Sequence, residues 1–183
     1  GSEMCIRDRD KSYKSRKEEY GRKYFYHREN IFMNILDKDL ILLNLNAEKE
    51  EDVINVLGNL LYSRKYVKDT YIPAVLAREK IYPTGLKTPS VNVAIPHTDS
   101  THVNRTSMAV GILKKPVIFN VMGSEGDSVA AEIIFLLAMR DPNQQVEMLK
   151  SIMQLLQDDK CLLNLKSAKT KDEVIKHLEN FIS

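Results

Sequence analysis

The chain has no uninterrupted apolar run of 18 residues, so no part of it reads as a membrane-spanning helix. No apolar segment of the signal-peptide kind follows the first residues, and the expectation is a cytoplasmic protein. Cysteine is scarce: Cys5 and Cys161 are the only two among 183 residues, and they form no Cys-x-x-Cys pair. That excludes a dense disulfide framework and suits a reducing compartment. Neither charge sign dominates, and a net charge of +2 is too small to imply a nucleic-acid partner by itself. There is no internal repeat. What is present is enough chain for one domain with a substantial core.

Charge and apolar residues are unevenly spread. Residues 1–30 hold nine Lys/Arg and six Asp/Glu, a net of +3, which leaves −1 for the other 153. The apolar content of this arm is mostly Tyr13, Tyr20, Tyr24, Phe25 and Tyr26, too little to offset chain entropy, and disorder or a loose helix is expected. Gly1-Ser2 reads as a cloning remnant, and Glu3 to Arg9 resembles translated adapter sequence. Basic residues interleaved with aromatics can bind RNA or single strands. Nothing else in the chain supports that role, so a solvated tail is the expectation and no nucleic-acid partner is assigned. The domain is taken as residues 31–183.

Within the domain, Asp39–Leu45 is short and apolar, as a buried strand would be. Asn46 is placed to cap a helix with Glu48, Glu50, Glu51 and Asp52 in its first turns and Val53, Leu57, Leu60 and Leu61 on its apolar stripe, running to about Arg64. Pro73 can open a second helix over Ala74–Lys80. Pro83-Thr-Gly85 ends it in a loop. Met108–Leu113 and Val117–Val121 read as two strands separated by a turn at Lys114-Lys-Pro116. Met122–Asp127 is a loop whose two glycines lack the lysine of a phosphate-binding Walker A motif. Glu132–Met139 reads as a further buried strand, and Asp141-Pro142 opens a helix with Val146, Leu149, Met153 and Leu156 at helical spacing. Met148 and Met153 are expected as core filler. A short helical piece covers Lys160–Leu165. A capping box at Thr170–Glu173 starts a last helix with Val174, Leu178 and Phe181 inward. Helices before, between and after four or five strands predict an α/β domain with helices on both faces of a mixed sheet.

The most informative stretch is Ser90–Ser100. Val91, Val93 and Ile95 point one way along a strand, and Asn92 and Ala94 the other. Pro96 ends the ladder and holds Ile95 extended. His97 then stands at the mouth of a strand, followed by Thr98, Asp99 and Ser100, which bond locally to backbone. Strand ends are where ligands gather in α/β sheets, so His97 is either a reactive imidazole or a surface histidine in an ordinary turn. His97, Asp99 and His102 lie close enough in sequence to suggest a metal site, although their spacing matches no zinc pattern.

Three segments together resemble one known family. Arg78-Glu-Lys-Ile-Tyr-Pro-Thr-Gly-Leu86, Ser90 to Ser100 with its Ile-Pro-His97, and Leu136-Leu-Ala-Met-Arg-Asp-Pro142 are similar to the type-2 IIA domain of the sugar phosphotransferase system (fructose/mannitol family), and more so to its galactitol branch. The similarity covers roughly residues 35–182. It implies a three-layer α/β/α sandwich with a mixed four- to five-stranded sheet, no cofactor, and a phosphohistidine carrier. His97 would accept phosphate from the phosphocarrier protein HPr. It would pass the group to a cysteine of a IIB subunit, which with the membrane component IIC takes up and phosphorylates a sugar or sugar alcohol.

The chemistry agrees with the resemblance: a neutral imidazole is a nucleophile near pH 7, and its N-phosphoryl form is a reactive donor. Arg78 is the natural cation for phosphoryl oxygens; its bland role would be an ion pair with Glu79 or another acid. Thr98 offers a hydroxyl or a backbone N–H. Many members of the family carry a second histidine after the Arg-Asp segment. Here Asn143-Gln144-Gln145 stands there, and an amide donates a hydrogen bond without titrating. A regulatory module phosphorylated on the same histidine is the competing function. The sugar is not encoded in a domain that never touches it.

Overall fold

The computed structural model describes residues 35–182. The expectations placed on residues 1–30, including the arm and Cys5, lie outside the described residues. A 3-10 turn at Lys38–Leu40 leads into strand β1 (Ile41–Leu45). Helices α1 (Glu50–Ser63) and α2 (Tyr71–Ile81) follow, then two short strands, β2 (Gly85–Leu86) and β3 (Val93–Ala94). Two long strands, β4 (Ser107–Asn120) and β5 (Ser128–Ala138), form a hairpin. Three helices close the chain: α3 (Pro142–Leu155), α4 (Asp159–Ser167) and α5 (Lys171–Ile182).

The sheet is mixed, in the order β1-β4-β5-β3-β2, with β1/β4 and β3/β5 parallel and β4/β5 and β2/β3 antiparallel. Alternation along the strands divides the core in two. On one face Val93, Val110, Ile133 and Phe135 meet Met148 and Ile152 of α3, Leu162 of α4, and Val174 and Leu178 of α5. On the other Ala94, Ala109, Phe119, Ile134 and Leu136 meet Val53, Ile54, Leu57 and Leu61 of α1 and Tyr71 and Val75 of α2. This is the expected three-layer sandwich. Val91, Val93 and Ile95 share the first face and Ala94 takes the second, as their alternation predicts.

Several local expectations are corrected. Lys114-Lys-Pro116 is not a turn but lies inside β4, where the register against β5 shifts between Ile112 and Val117. Pro116 has no N–H to place in a ladder, and a bulge accommodates that. The chain reverses after Val121 instead, where Gly123 and Gly126 take positive φ. Asn46 does not cap α1: Lys49 occupies that position, and the Asp52 carboxylate accepts the Lys49 and Glu48 N–H groups at 3.0 and 3.3 Å. An acid at the third helical position satisfies orphan amides that Asn46 is too far upstream to reach. Pro73 sits inside α2, in its first turn, where its missing N–H has no helical partner to lose. On α3 the inward side chains are Met148, Ile152 and Leu155, whereas Val146 and Met153 are exposed. Of the two methionines expected as core filler, only Met148 is.

Two expected caps hold. Asp141 Oδ1 accepts the Asn143 N–H at 2.8 Å and starts α3. At α5, Thr170 Oγ1 accepts the Glu173 N–H at 3.2 Å, and the Glu173 carboxylate reaches back to the Lys169 N–H at 2.7 Å. No helix among the described residues is long and apolar enough to cross a membrane.

Candidate functional site

The site forms where β3 leaves the sheet. Parallel pairing continues past β3: Leu137 N–H donates to the Pro96 carbonyl at 3.0 Å, and His97 lies level with Leu137 near the end of β5. The loop after His97 is tied to the α1–α2 connection. Lys68 N–H donates to the His102 carbonyl, Lys68 Nζ donates to the Thr101 carbonyl at 2.6 Å, and Val103 pairs with Val67. His97 is thus held between a core strand and the segment that starts α2.

The imidazole is buried, with 7% of its surface exposed. Its Nδ1 lies 2.8 Å from the Ile95 carbonyl oxygen. A carbonyl only accepts, so Nδ1 carries the proton, and in the neutral ring Nε2 keeps its lone pair. That lone pair faces Arg78, whose Nη2 is 3.4 Å away. Burial pulls the imidazole below the ordinary histidine range, and the Arg78 guanidinium acts the same way; the Ile95 carbonyl and Asp99 oppose them. The ring is therefore neutral and nucleophilic at pH 7.

Arg78 is not in the ion pair that its neighbour Glu79 suggested. None of the ion pairs among the described residues includes it. Its guanidinium lies over the Tyr82 ring, 5.2 Å from the centroid, and Nε is buried without a hydrogen-bond partner among the described residues. A cation held on an aromatic face with donors unspent is prepared for an anion. Glu79 turns instead to Thr84, accepting its N–H at 2.8 Å and its hydroxyl on the same carboxylate at 2.8–3.0 Å.

The remaining sequence candidates separate. Thr98 is buried directly after His97. Gln144 is half-buried, and its Oε1 accepts the Thr106 hydroxyl at 3.0 Å; that hydroxyl oxygen also accepts the Arg140 N–H at 3.1 Å. Neither Asn143, which is exposed, nor Gln144 makes a hydrogen bond to His97. The grouping of His97, Asp99 and His102 is not formed. His102 Nδ1 pairs with Thr70 Oγ1 at 2.9 Å, and the described residues contain no cluster of three potential metal ligands. Thr84 and Tyr82 carry no expectation from the sequence, and Glu79 only that of an ion pair with Arg78. Their signal was the Arg-Glu…Pro-Thr-Gly string itself, in which only the fold reveals that Glu79 and Thr84 are partners.

Comparisons with known proteins cover the same stretch of the chain. The family model described as phosphoenolpyruvate-dependent sugar phosphotransferase system, EIIA 2, matches residues 34–181. The galactitol-specific EIIA component of Escherichia coli is 26% identical over 130 residues, 69% of this chain and 86% of that protein. Among solved structures, the complex of enzyme IIAMtl with phosphorylated enzyme IIBMtl from Escherichia coli matches with a TM-score of 0.66 at 26% identity, covering 79% of this chain and 97% of that one. The nitrogen regulatory protein IIA-Ntr from Neisseria meningitidis matches with a TM-score of 0.64 at 25% identity, covering 79% of this chain and 97% of that one.

Proposed function

Because the chain belongs to the EIIA type-2 family of the phosphoenolpyruvate-dependent sugar phosphotransferase system, and is thus a phosphoryl-carrying IIA component, we propose that His97 is its phosphorylated residue, with Nε2 as the accepting atom. The observation that carries this reading is the pairing of the two ring nitrogens: Nδ1–H is committed to the Ile95 carbonyl, and Nε2 faces Arg78. The Nε2 lone pair attacks the phosphorus of phospho-HPr. A P–Nε2 bond forms as the P–N bond of the donor breaks, and its electron pair leaves with the HPr imidazole. In the second step a cysteine thiolate of a IIB subunit attacks the same phosphorus, an S–P bond forms, and the electron pair of the P–Nε2 bond returns to His97. No metal or cofactor enters either step.

Arg78 forks onto the non-bridging oxygens and balances charge as it builds, which is the main demand of phosphoryl transfer. Thr98 supplies a further donor. Neither Asn143 nor Gln144 is hydrogen-bonded to the imidazole in the unphosphorylated protein, and the Gln144 amide group can donate to an incoming phosphoryl group. The partners are HPr and a IIB subunit in the cytoplasm, the latter serving a membrane IIC component, and galactitol is the first sugar alcohol to test. Incubation with phosphoenolpyruvate, enzyme I and HPr, followed by intact-mass measurement, tests the assignment. One phosphoryl group is expected on the parent and none on His97→Ala; labelling of the variant refutes it.

A second reading has its own support in the match to the nitrogen regulatory protein IIA-Ntr. The same phosphorylation then controls a partner protein in place of feeding a transporter. Transfer of the label from His97 to a purified galactitol-type IIB favours transport, and its absence with every tested IIB favours regulation.

A further inference from the structure

Among the described residues Glu79 is the one buried carboxylate, and the phosphoryl relay leaves its purpose unexplained. It is 4% exposed, and no ion pair among the described residues includes it. Among the described residues its carboxylate accepts only from Thr84: the N–H on Oε1 at 2.8 Å and the hydroxyl, which lies 3.0 Å from Oε1 and 2.8 Å from Oε2. Burying a carboxylate without a cation is costly, and an apolar side chain beside Val75 would fill this face of α2 more cheaply.

The bonds continue past Thr84. The Thr84 carbonyl accepts the Ile95 N–H at 3.3 Å, and the Ile95 carbonyl accepts His97 Nδ1–H at 2.8 Å. A hydrogen-bonded path therefore runs from Glu79 through Thr84 and Ile95 to the imidazole. Glu79 also directly follows Arg78, so anchoring its carboxylate fixes the rotation of the last turns of α2, and with it the reach of Arg78 to Nε2. Both ring nitrogens are addressed from one buried side chain.

We propose that Glu79 is a positioning residue of the phosphoryl-transfer site, holding His97 in its Nδ1–H tautomer through Thr84 and Ile95 and holding Arg78 against Nε2 through α2. This rests on the reading of His97 as the phosphoryl acceptor. Glu79→Gln keeps the volume and replaces one acceptor oxygen with a donor. Rapid-quench measurement of transfer from phospho-HPr is expected to show about a tenfold slower rate, the lower end of the loss found when the hydrogen-bonded support of a metal-ligating histidine is removed. Long-range 1H–15N correlations of His97 in the unphosphorylated protein are expected to change from one tautomer to a mixture. Thr84→Val, which removes the hydroxyl and keeps the N–H, shifts both readouts the same way, and Thr84→Ser restores them.

A merely structural Glu79 would alter melting temperature and leave rate and tautomer at parent values, and that result overturns the proposal. The tautomer measurement needs no phosphate donor. If the parent takes no phosphate on His97, the carrier reading fails by itself, and an unchanged tautomer in Glu79→Gln then separately overturns the positioning role.

Discussion

Glu79→Gln also makes a prediction about stability whose sign is opposite to its effect on transfer. Burial raises the Glu79 carboxyl from 4.5 to about 7, with the two Thr84 hydrogen bonds opposing burial, Glu50 on α1 adding to it and Arg78 opposing it. The folded protein therefore binds more protons than the unfolded chain between pH 4.5 and 7, and stability falls as pH rises through that window. The change corresponds to about 3 kcal/mol, or roughly 10 °C in melting temperature for a domain of this size. Glu50 is raised in the same sense, and His97, lowered by burial, contributes stability that increases with pH; both are present in parent and variant and largely cancel in the difference. Gln mimics the protonated acid. Parent and Glu79→Gln should thus unfold alike near pH 4.5, and the variant should become progressively more stable than the parent up to pH 8. Urea melts of both proteins at half-unit steps of pH measure this. A difference that does not change with pH would mean that the Thr84 bonds keep the carboxylate ionised throughout, and the account of its burial would be wrong. Greater stability combined with slower transfer is the signature of a group retained for function.

Four further outcomes follow from the same geometry. Alanine variants of His102 and His177 should still accept one phosphoryl group, and retained labelling of His97→Ala by intact mass would remove His97 from the relay. Arg78→Ala should slow transfer from phospho-HPr by roughly 30- to 1,000-fold, the cost of about 2–4 kcal/mol for a lost charged donor at a reacting centre, with Arg78→Lys recovering part because it lacks the fork; a parent rate in rapid quench would refute this. Gly85→Ala should destabilise by about 1–3 kcal/mol in urea melts, as overpacking does, because its Cβ would lie 2.5 Å from the Asn120 carbonyl oxygen and 2.9 Å from Val129 Cγ2. Removal of residues 1–30 should leave melting temperature and phosphorylation nearly unchanged, since their composition offers little to a core; a large drop in melting temperature would show that they pack.

The sequence by itself determined what depends on near neighbours. Alternation set the faces of Val91, Val93 and Ile95, Pro96 ended the ladder before His97, and Asp141 and Thr170 capped their helices, because each of these effects acts within a few residues. Arg78 and Thr98 were legible as companions of His97 through a family resemblance carried by strings such as Pro83-Thr-Gly85 and Ile-Pro-His97, not through any rule of spacing. Tertiary structure decided the rest. Lys114-Lys-Pro116 has the composition of a turn, yet β5 continues alongside it, so it became a bulge within one long strand. Val146 and Met153 recur at helical spacing as well as Met148 and Ile152 do; the position of the sheet chose which set went inside. Glu79 lies beside Arg78 in the chain and would pair with it on charge alone. Successive residues on a helix point about 100° apart, so Arg78 reaches His97 while Glu79 turns inward to Thr84. That division of two adjacent side chains, one toward His97 Nε2 and the other toward Thr84, exists only once α2 is packed against the sheet.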